Sequence, residues 1–161
     1  MATSSRVAAA SVAGFLAGSI SFGGTPFMEG ASVKPCQVTL LELRNRSREF
    51  AAQRDWEQYH TPRNLALAMV GEVGELCECF QWKGEVEPGL KSWSEQERAH
   101  LGEEMSDVLL YLVRLADRCG IDLGAATLAK LEKNAQKYPA ARVHGSSKKY
   151  NEYNEWNRAE R

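Results

Sequence analysis

Two short acidic pairs constrain this chain more than anything else in it. Glu72 and Glu75 lie three residues apart in the stretch Val70-Gly-Glu-Val-Gly-Glu-Leu-Cys-Glu78. Glu104 and Asp107 lie three apart in Glu103-Glu-Met-Ser-Asp-Val108. Both stretches have helical patterning, and on a helix positions i and i+3 share a face about one turn apart. At about 100° per residue, Glu72 falls inside the stripe of Leu65, Met69, Leu76 and Phe80, with Glu75 at its edge. Glu104 and Asp107 flank the stripe of Leu101, Met105, Val108, Leu112 and Leu115. These carboxylates therefore point where a core belongs. An unpaired buried carboxylate costs several kcal/mol, on the order of the whole stability of a domain. Something must neutralise them, and a hard divalent cation with oxygen ligands does so directly.

The chain has 161 residues, enough for one modest domain. Its net charge of -1 argues against a nucleic-acid polymer or a membrane surface as partner. The acids are clustered, which points to a local site. Cys36, Cys77, Cys79 and Cys119 form no C-x-x-C pair and read as free thiols, buried as small hydrophobes.

Residues 1–36 are rich in Ala, Ser and Gly, with Arg6 as the one basic residue before Lys34 and no acid before Glu29. Three readings fit: an unstructured tail, an organellar transit segment, or a secretory signal. The free thiols weigh against secretion. The expected location is cytoplasmic, or a plastid or mitochondrion if the segment directs transit. The run Val7 to Ile20 is too short and too interrupted to span a bilayer.

Residues 37–139 read as one all-α domain of four main helices. Thr39-Leu-Leu-Glu42 is a capping-box pattern opening the first helix, expected to end near Trp56. Thr61-Pro62 starts the second, with Pro at its tolerated first position, running to about Trp82. Gly71 and Gly74 inside it suit close approach of another backbone, a ligand or a neighbouring helix. Lys83 to Trp93 is a loop, and Ser94-Glu-Gln-Glu97 is a second capping box. The third helix runs to Cys119, with Gly120 suited to its C-terminal cap. Asp122 caps a fourth that ends before Pro139. Residues 140–161 read as a polar, flexible arm.

Four carboxylates on two neighbouring antiparallel helices can converge on one magnesium ion, which takes oxygen ligands and often completes its shell with substrate phosphates. Di-iron bundles need Glu-x-x-His motifs, which these glutamates lack, and zinc needs His or Cys ligands. Trp82 stands two turns beyond Glu75, and Tyr111 follows Asp107 by four residues. With Trp56 they suit either core packing or the stacking of a planar base. Lys130, Lys133, Asn134 and Lys137 make one polar face, either solvated or a phosphate clamp. No P-loop and no dinucleotide fingerprint is present.

The spacing Glu72-x-x-Glu75, a long interval, then Glu104-x-x-Asp107 resembles the signature of the all-α nucleoside triphosphate pyrophosphatases, the MazG-like superfamily. The stretches Arg54-Asp-Trp-Glu-Gln-Tyr-His60, Pro62-Arg-Asn-Leu65, Phe80-Gln-Trp-Lys83 and Lys137-Tyr-Pro139 narrow the resemblance to members that act on dCTP. It covers about residues 38–150. The resemblance implies a four-helix MazG-like bundle and hydrolysis of dCTP and 5-modified dCTP to the monophosphate and pyrophosphate. It implies Mg2+ bound by Glu72, Glu75, Glu104 and Asp107; on that reading a catalytic carboxylate, Glu72 or Glu75, positions or deprotonates the attacking water, and sequence does not assign the base among the four acids. It also implies a base pocket using Trp56 and Trp82, with His60, Asn64, Tyr111, Lys130 and Asn134 as further contacts and Lys137 on the same lysine face. Oligomers, typically homotetramers with sites between subunits, are implied too. One departure is Ser47, where the resemblance leads one to expect His.

Overall fold

A computed structural model describes residues 37–147. The readings of the N-terminal segment, and of the arm from Lys148 onward, lie outside the described residues.

The first helix, α1, spans Leu40–Ala52. Thr39 accepts the Glu42 backbone N–H, but the Glu42 carboxylate turns to Arg46 instead of back to the cap. Only half of the expected capping box forms. The helix also stops short of Trp56. Asp55 adopts a left-handed conformation (φ 51°). Its N–H donates to Ala52 O, and the Trp56 N–H donates to Ala51 O at 2.9 Å. This is a Schellman closure with Asp in the place glycine usually takes. It turns the chain so that the Trp56 ring packs edge-on against Phe50, with centroids 5.9 Å apart.

The second helix, α2, spans Pro62–Gln81, with Thr61 accepting the Asn64 N–H. Trp82 is its C-terminal cap. The loop that follows reverses direction with positive φ at Gly84, Gly89 and Leu90. The third helix, α3, spans Glu95–Arg118 and begins with a complete capping box between Ser94 and Glu97. It closes through Gly120 (φ 66°), with the Ile121 N–H donating to Ala116 O. The fourth, α4, spans Leu123–Lys137 with Asp122 as its cap. A short turn of helix, α5 (Ala140–Val143), follows Pro139. No strand occurs among the described residues.

α2 and α3 pack along each other as an antiparallel pair, and α1 packs on α3. Their interior holds Ala51, Leu65, Trp93, Leu101, Tyr111, Val113 and Ala116. Leu65, 2% exposed, alone contributes about 2 kcal/mol of burial. The buried line of α3 runs Leu101, Glu104, Tyr111, while Met105 and Leu112, expected inward, face outward. Glu104 thus lies within the buried line and does not merely flank it. The shift has a simple cause. α3 is apolar on two sides, so periodicity alone cannot select which one meets α2.

Among the described residues the other side stays open. Leu67, Val70 and Val73 on α2, and Met105, Leu109 and Leu112 on α3, are exposed. A Cβ added at Gly71 or Gly74 would meet nothing within 4 Å, so no close approach among the described residues uses these glycines. No residue of α4 is buried, and its Leu128 and Leu131 are exposed. Cys77 and Cys119 are free and exposed, against the expectation of burial, and Cys79 is half-buried.

Candidate active site

Pairing α2 with α3 brings Glu72, Glu104 and Asp107 together. One oxygen from each lies within 4.8 Å of the others. Glu104 is only 8% exposed, and its Oε2 is buried without a hydrogen-bond partner. Burial raises the Glu72 carboxyl above its ordinary range, and the charges of Asp107, Glu75 and Glu104 raise it further. Burial likewise raises Glu104, with His100 opposing and Glu75, Asp107 and Glu103 adding to the rise. Asp107 is raised by burial, then by Glu75 and Glu103. No lysine or arginine among the described residues is one of the groups that offset this repulsion. A hard cation would relieve it, and the orphaned Glu104 oxygen fits a ligand role.

Glu75 is not one of the three converging carboxylates, although its charge acts on each of them. It is exposed and lines a groove of about 480 Å³ together with Glu104, His100, Trp82 and Trp93. Trp82 is 86% exposed. Trp93 forms the floor, packed on Phe80 at 5.3 Å, with the Lys83 ammonium 5.1 Å above its ring. Lys83 also pairs with Glu97. That hydrogen bond, with those from Ser94, holds the Glu97 carboxyl at about 2.

Apart from Tyr111, the remaining residues singled out from sequence disperse. Trp56 precedes α2 and Trp82 ends it, so the helix separates them by roughly 30 Å along its axis. The two indoles cannot close on one ring within a single chain. His60 is buried beside Trp56, with ring centroids 6.1 Å apart. The Asn64 amide donates to Tyr59 O, bracing the turn into α2. Tyr111 is buried next to the acids, and burial, then the charges of Glu72, Asp107 and Glu75, raise its hydroxyl. Lys130 and Lys137 are exposed on α4, and Asn134 is half-buried there. None of the three is among the groups that shift the acids. Ser47 is buried on the inner side of α1.

Four residues of consequence escaped the sequence reading. His100 places Nδ1 3.4 Å from Glu104 Oε1, and its i, i+4 spacing was a usable signal. Trp93 and Lys83 depend on how the loop folds back. Arg114, 3% exposed, sits in an apolar run where an arginine reads as an edge residue.

The sequence profile of the MazG-like family matches residues 68–153, which include all four acids. The chain belongs to the MazG-like family. Among MazG-like relatives, it is 59% identical to human dCTP pyrophosphatase 1 over 116 residues, covering 72% of this chain and 68% of that protein. It is 56% identical to the rat protein of the same name over 114 residues, 71% of this chain and 67% of that one. A crystal structure of a pyrophosphatase from Archaeoglobus fulgidus matches with a TM-score of 0.53 and 38% identity, over 67% of this chain and 99% of that one. No helix among the described residues of this MazG-like chain is long and apolar enough to cross a membrane.

Proposed function

We propose that this MazG-like protein is a nucleoside triphosphate diphosphatase that hydrolyses dCTP to dCMP and pyrophosphate. The convergence of Glu72, Glu104 and Asp107 beside a tryptophan-lined groove supports this reading. The identity to dCTP pyrophosphatase 1 names the nucleotide. Residues 37–139 form the catalytic unit.

Glu72, Glu104 and Asp107, with Glu75 nearby, would hold magnesium. When bound, the ion supplies charge neutralisation for a triphosphate and its leaving group. Water attacks the α-phosphorus, the bond from that phosphorus to the α–β bridging oxygen breaks, and pyrophosphate leaves. Glu75 is exposed to the groove and outside the tight triad, which suits a carboxylate oxygen that orients the water and takes its proton. Glu72, half-buried and repelled by its neighbours, suits a ligand role. Trp82 offers an open face for a base, and the same apolar face would accept a 5-methyl group.

A second copy of the chain completes the site. The exposed apolar faces of α2, α3 and α4 call for a partner; Trp56 precedes α2, and the α4 residues Lys130, Asn134 and Lys137 are not among the groups that shift the acids of their own chain. A homotetramer provides that partner. The cytoplasm is the proposed location, with an organelle as the alternative if residues 1–36 direct transit.

The test is pyrophosphate release from a panel of deoxy- and ribonucleoside triphosphates, with magnesium and with chelator, beside light scattering for mass. Release from dCTP and 5-methyl-dCTP, dependent on magnesium, is expected from a tetramer. Equal rates across the panel would make it a broad nucleotide-pool enzyme. No release from any triphosphate would make it a non-catalytic helical module.

A further inference from the structure

Two imidazoles with polar partners stand in different surroundings. His60 is buried and accepts a hydrogen bond from Arg114 Nε at 3.1 Å, which commits it to the interior of the fold. His100 is exposed. It lies one helical turn before Glu104 on α3 and lines the same groove as that glutamate. Its Nδ1 is 3.4 Å from Glu104 Oε1 and 3.9 Å from Glu103 Oε2. Positions i and i+4 share a helix face, so the first contact is written into the spacing.

The two acids are unequal partners. Glu103 is exposed, and an exposed pair is worth little because water screens it. Glu104 is buried, and its contact is the shorter one. Among the described residues no other hydrogen bond or ion pair reaches the Glu104 carboxylate. Its side chain has three rotatable bonds, and the charges of Glu75, Asp107 and Glu103 press on it. Repulsion of that kind drives a carboxylate toward water, away from Glu72 and Asp107. An N–H at Nδ1 opposes that swing by holding one oxygen in place. The cation and the neutral Nδ1–H tautomer both supply such a donor. A side chain ordered in advance gives up less entropy when its ligand arrives.

We propose that His100 is a positioning residue for the acidic site: it holds Glu104 beside Glu72 and Asp107 before a divalent cation binds, and so raises the affinity for that cation. This rests on the reading that these carboxylates hold magnesium. His100 itself is neither a ligand of the ion nor a contact of the nucleotide. Its effect falls on the metal dissociation constant and leaves the chemical step alone once the site is filled.

The experiment uses the full-length protein, stripped with chelator and titrated with magnesium at pH 8, with binding read by calorimetry and by the rise in Tm. His100 is exposed and alanine favours a helix, so His100→Ala should fold. It should weaken magnesium about tenfold, as loss of a group that orients a metal ligand does. His100→Asn keeps a donor at the δ position without a ring or a charge, and should recover most of that loss. Glu103→Gln should bind magnesium like the wild type. At saturating magnesium, kcat for dCTP should be little changed in all three. Wild-type affinity in His100→Ala overturns the proposal. So does His100→Asn as weak as His100→Ala, which would make the imidazole a ligand and not a donor. An equal loss in Glu103→Gln, or a kcat that falls with the metal saturated, overturns it as well. A wild type that binds no magnesium removes the metal reading and this proposal together. Magnesium binding without dCTP turnover removes only the substrate reading, so the failures are told apart.

Discussion

His100 Nδ1 lies 3.4 Å from Glu104 Oε1, while the other oxygen of the same carboxylate is buried and accepts no hydrogen bond. One oxygen of Glu104 is thus met by an exposed imidazole, and the carboxylate brings one oxygen within 4.8 Å of oxygens of Glu72 and Asp107. Glu104→Gln should abolish pyrophosphate release while leaving helix content intact. Without metal the variant should melt no lower than the wild type, because a neutral amide removes carboxylate repulsion. Magnesium should raise the wild-type melting temperature with occupancy and leave that of the variant unmoved. Wild-type turnover in Glu104→Gln would remove the metal assignment.

The folded chain also resists protonating His60, and this has a measurable pH signature. Burial, then the charge of Arg114, pushes the imidazole below its ordinary 6.5, with Glu57 opposing and Arg118 adding. Above that value both folded and unfolded states hold a neutral ring. As pH falls below it, the unfolded chain takes a proton that the folded chain refuses, so stability declines until the lower folded pKa is reached. Glu72, Glu104 and Asp107, whose carboxyls are raised, act in the opposite direction on acidification. A comparison with His60→Gln cancels them, because the amide oxygen can still accept from Arg114. Melts in chelator should show the wild type losing stability relative to the variant between pH 6.5 and 5.5. Parallel curves would mean that His60 titrates freely.

Trp82 is exposed enough that its removal should hardly affect folding, within about 0.5 kcal/mol. Stacking of a base on an aromatic is worth ~1–3 kcal/mol. Trp82→Ala should therefore raise KM for dCTP by about tenfold or more, at 1.4 kcal/mol per decade. Any preference for 5-methyl-dCTP should shrink as well. Magnesium affinity should stay as it is, since the carboxylates are untouched. Unchanged specificity constants for both nucleotides would place the base pocket elsewhere.

The sequence alone determined the helices and the acidic pairs. Thr61, Ser94 and Asp122 cap where their side chains predict, because an N-cap is a local bond between a side chain and a backbone N–H three residues on. The i, i+3 spacing placed each carboxylate pair on one helix face for the same local reason. What lay beyond local reach was decided by packing. The end of α1 was misplaced because Asp55 takes a left-handed turn that few non-glycine residues adopt. The buried face of α3 was displaced because the helix offers two apolar sides and only contact with α2 selects one. Trp56 and Trp82 read from sequence as partners around one base, and within one chain α2 sets them at opposite ends. The Arg114–His60 contact joins residues 54 positions apart, and no periodicity within one helix reports it. Local hydrogen bonding and spacing write helices into a sequence, whereas the meeting of distant side chains depends on which apolar faces bury against each other, a choice made only when the whole chain packs.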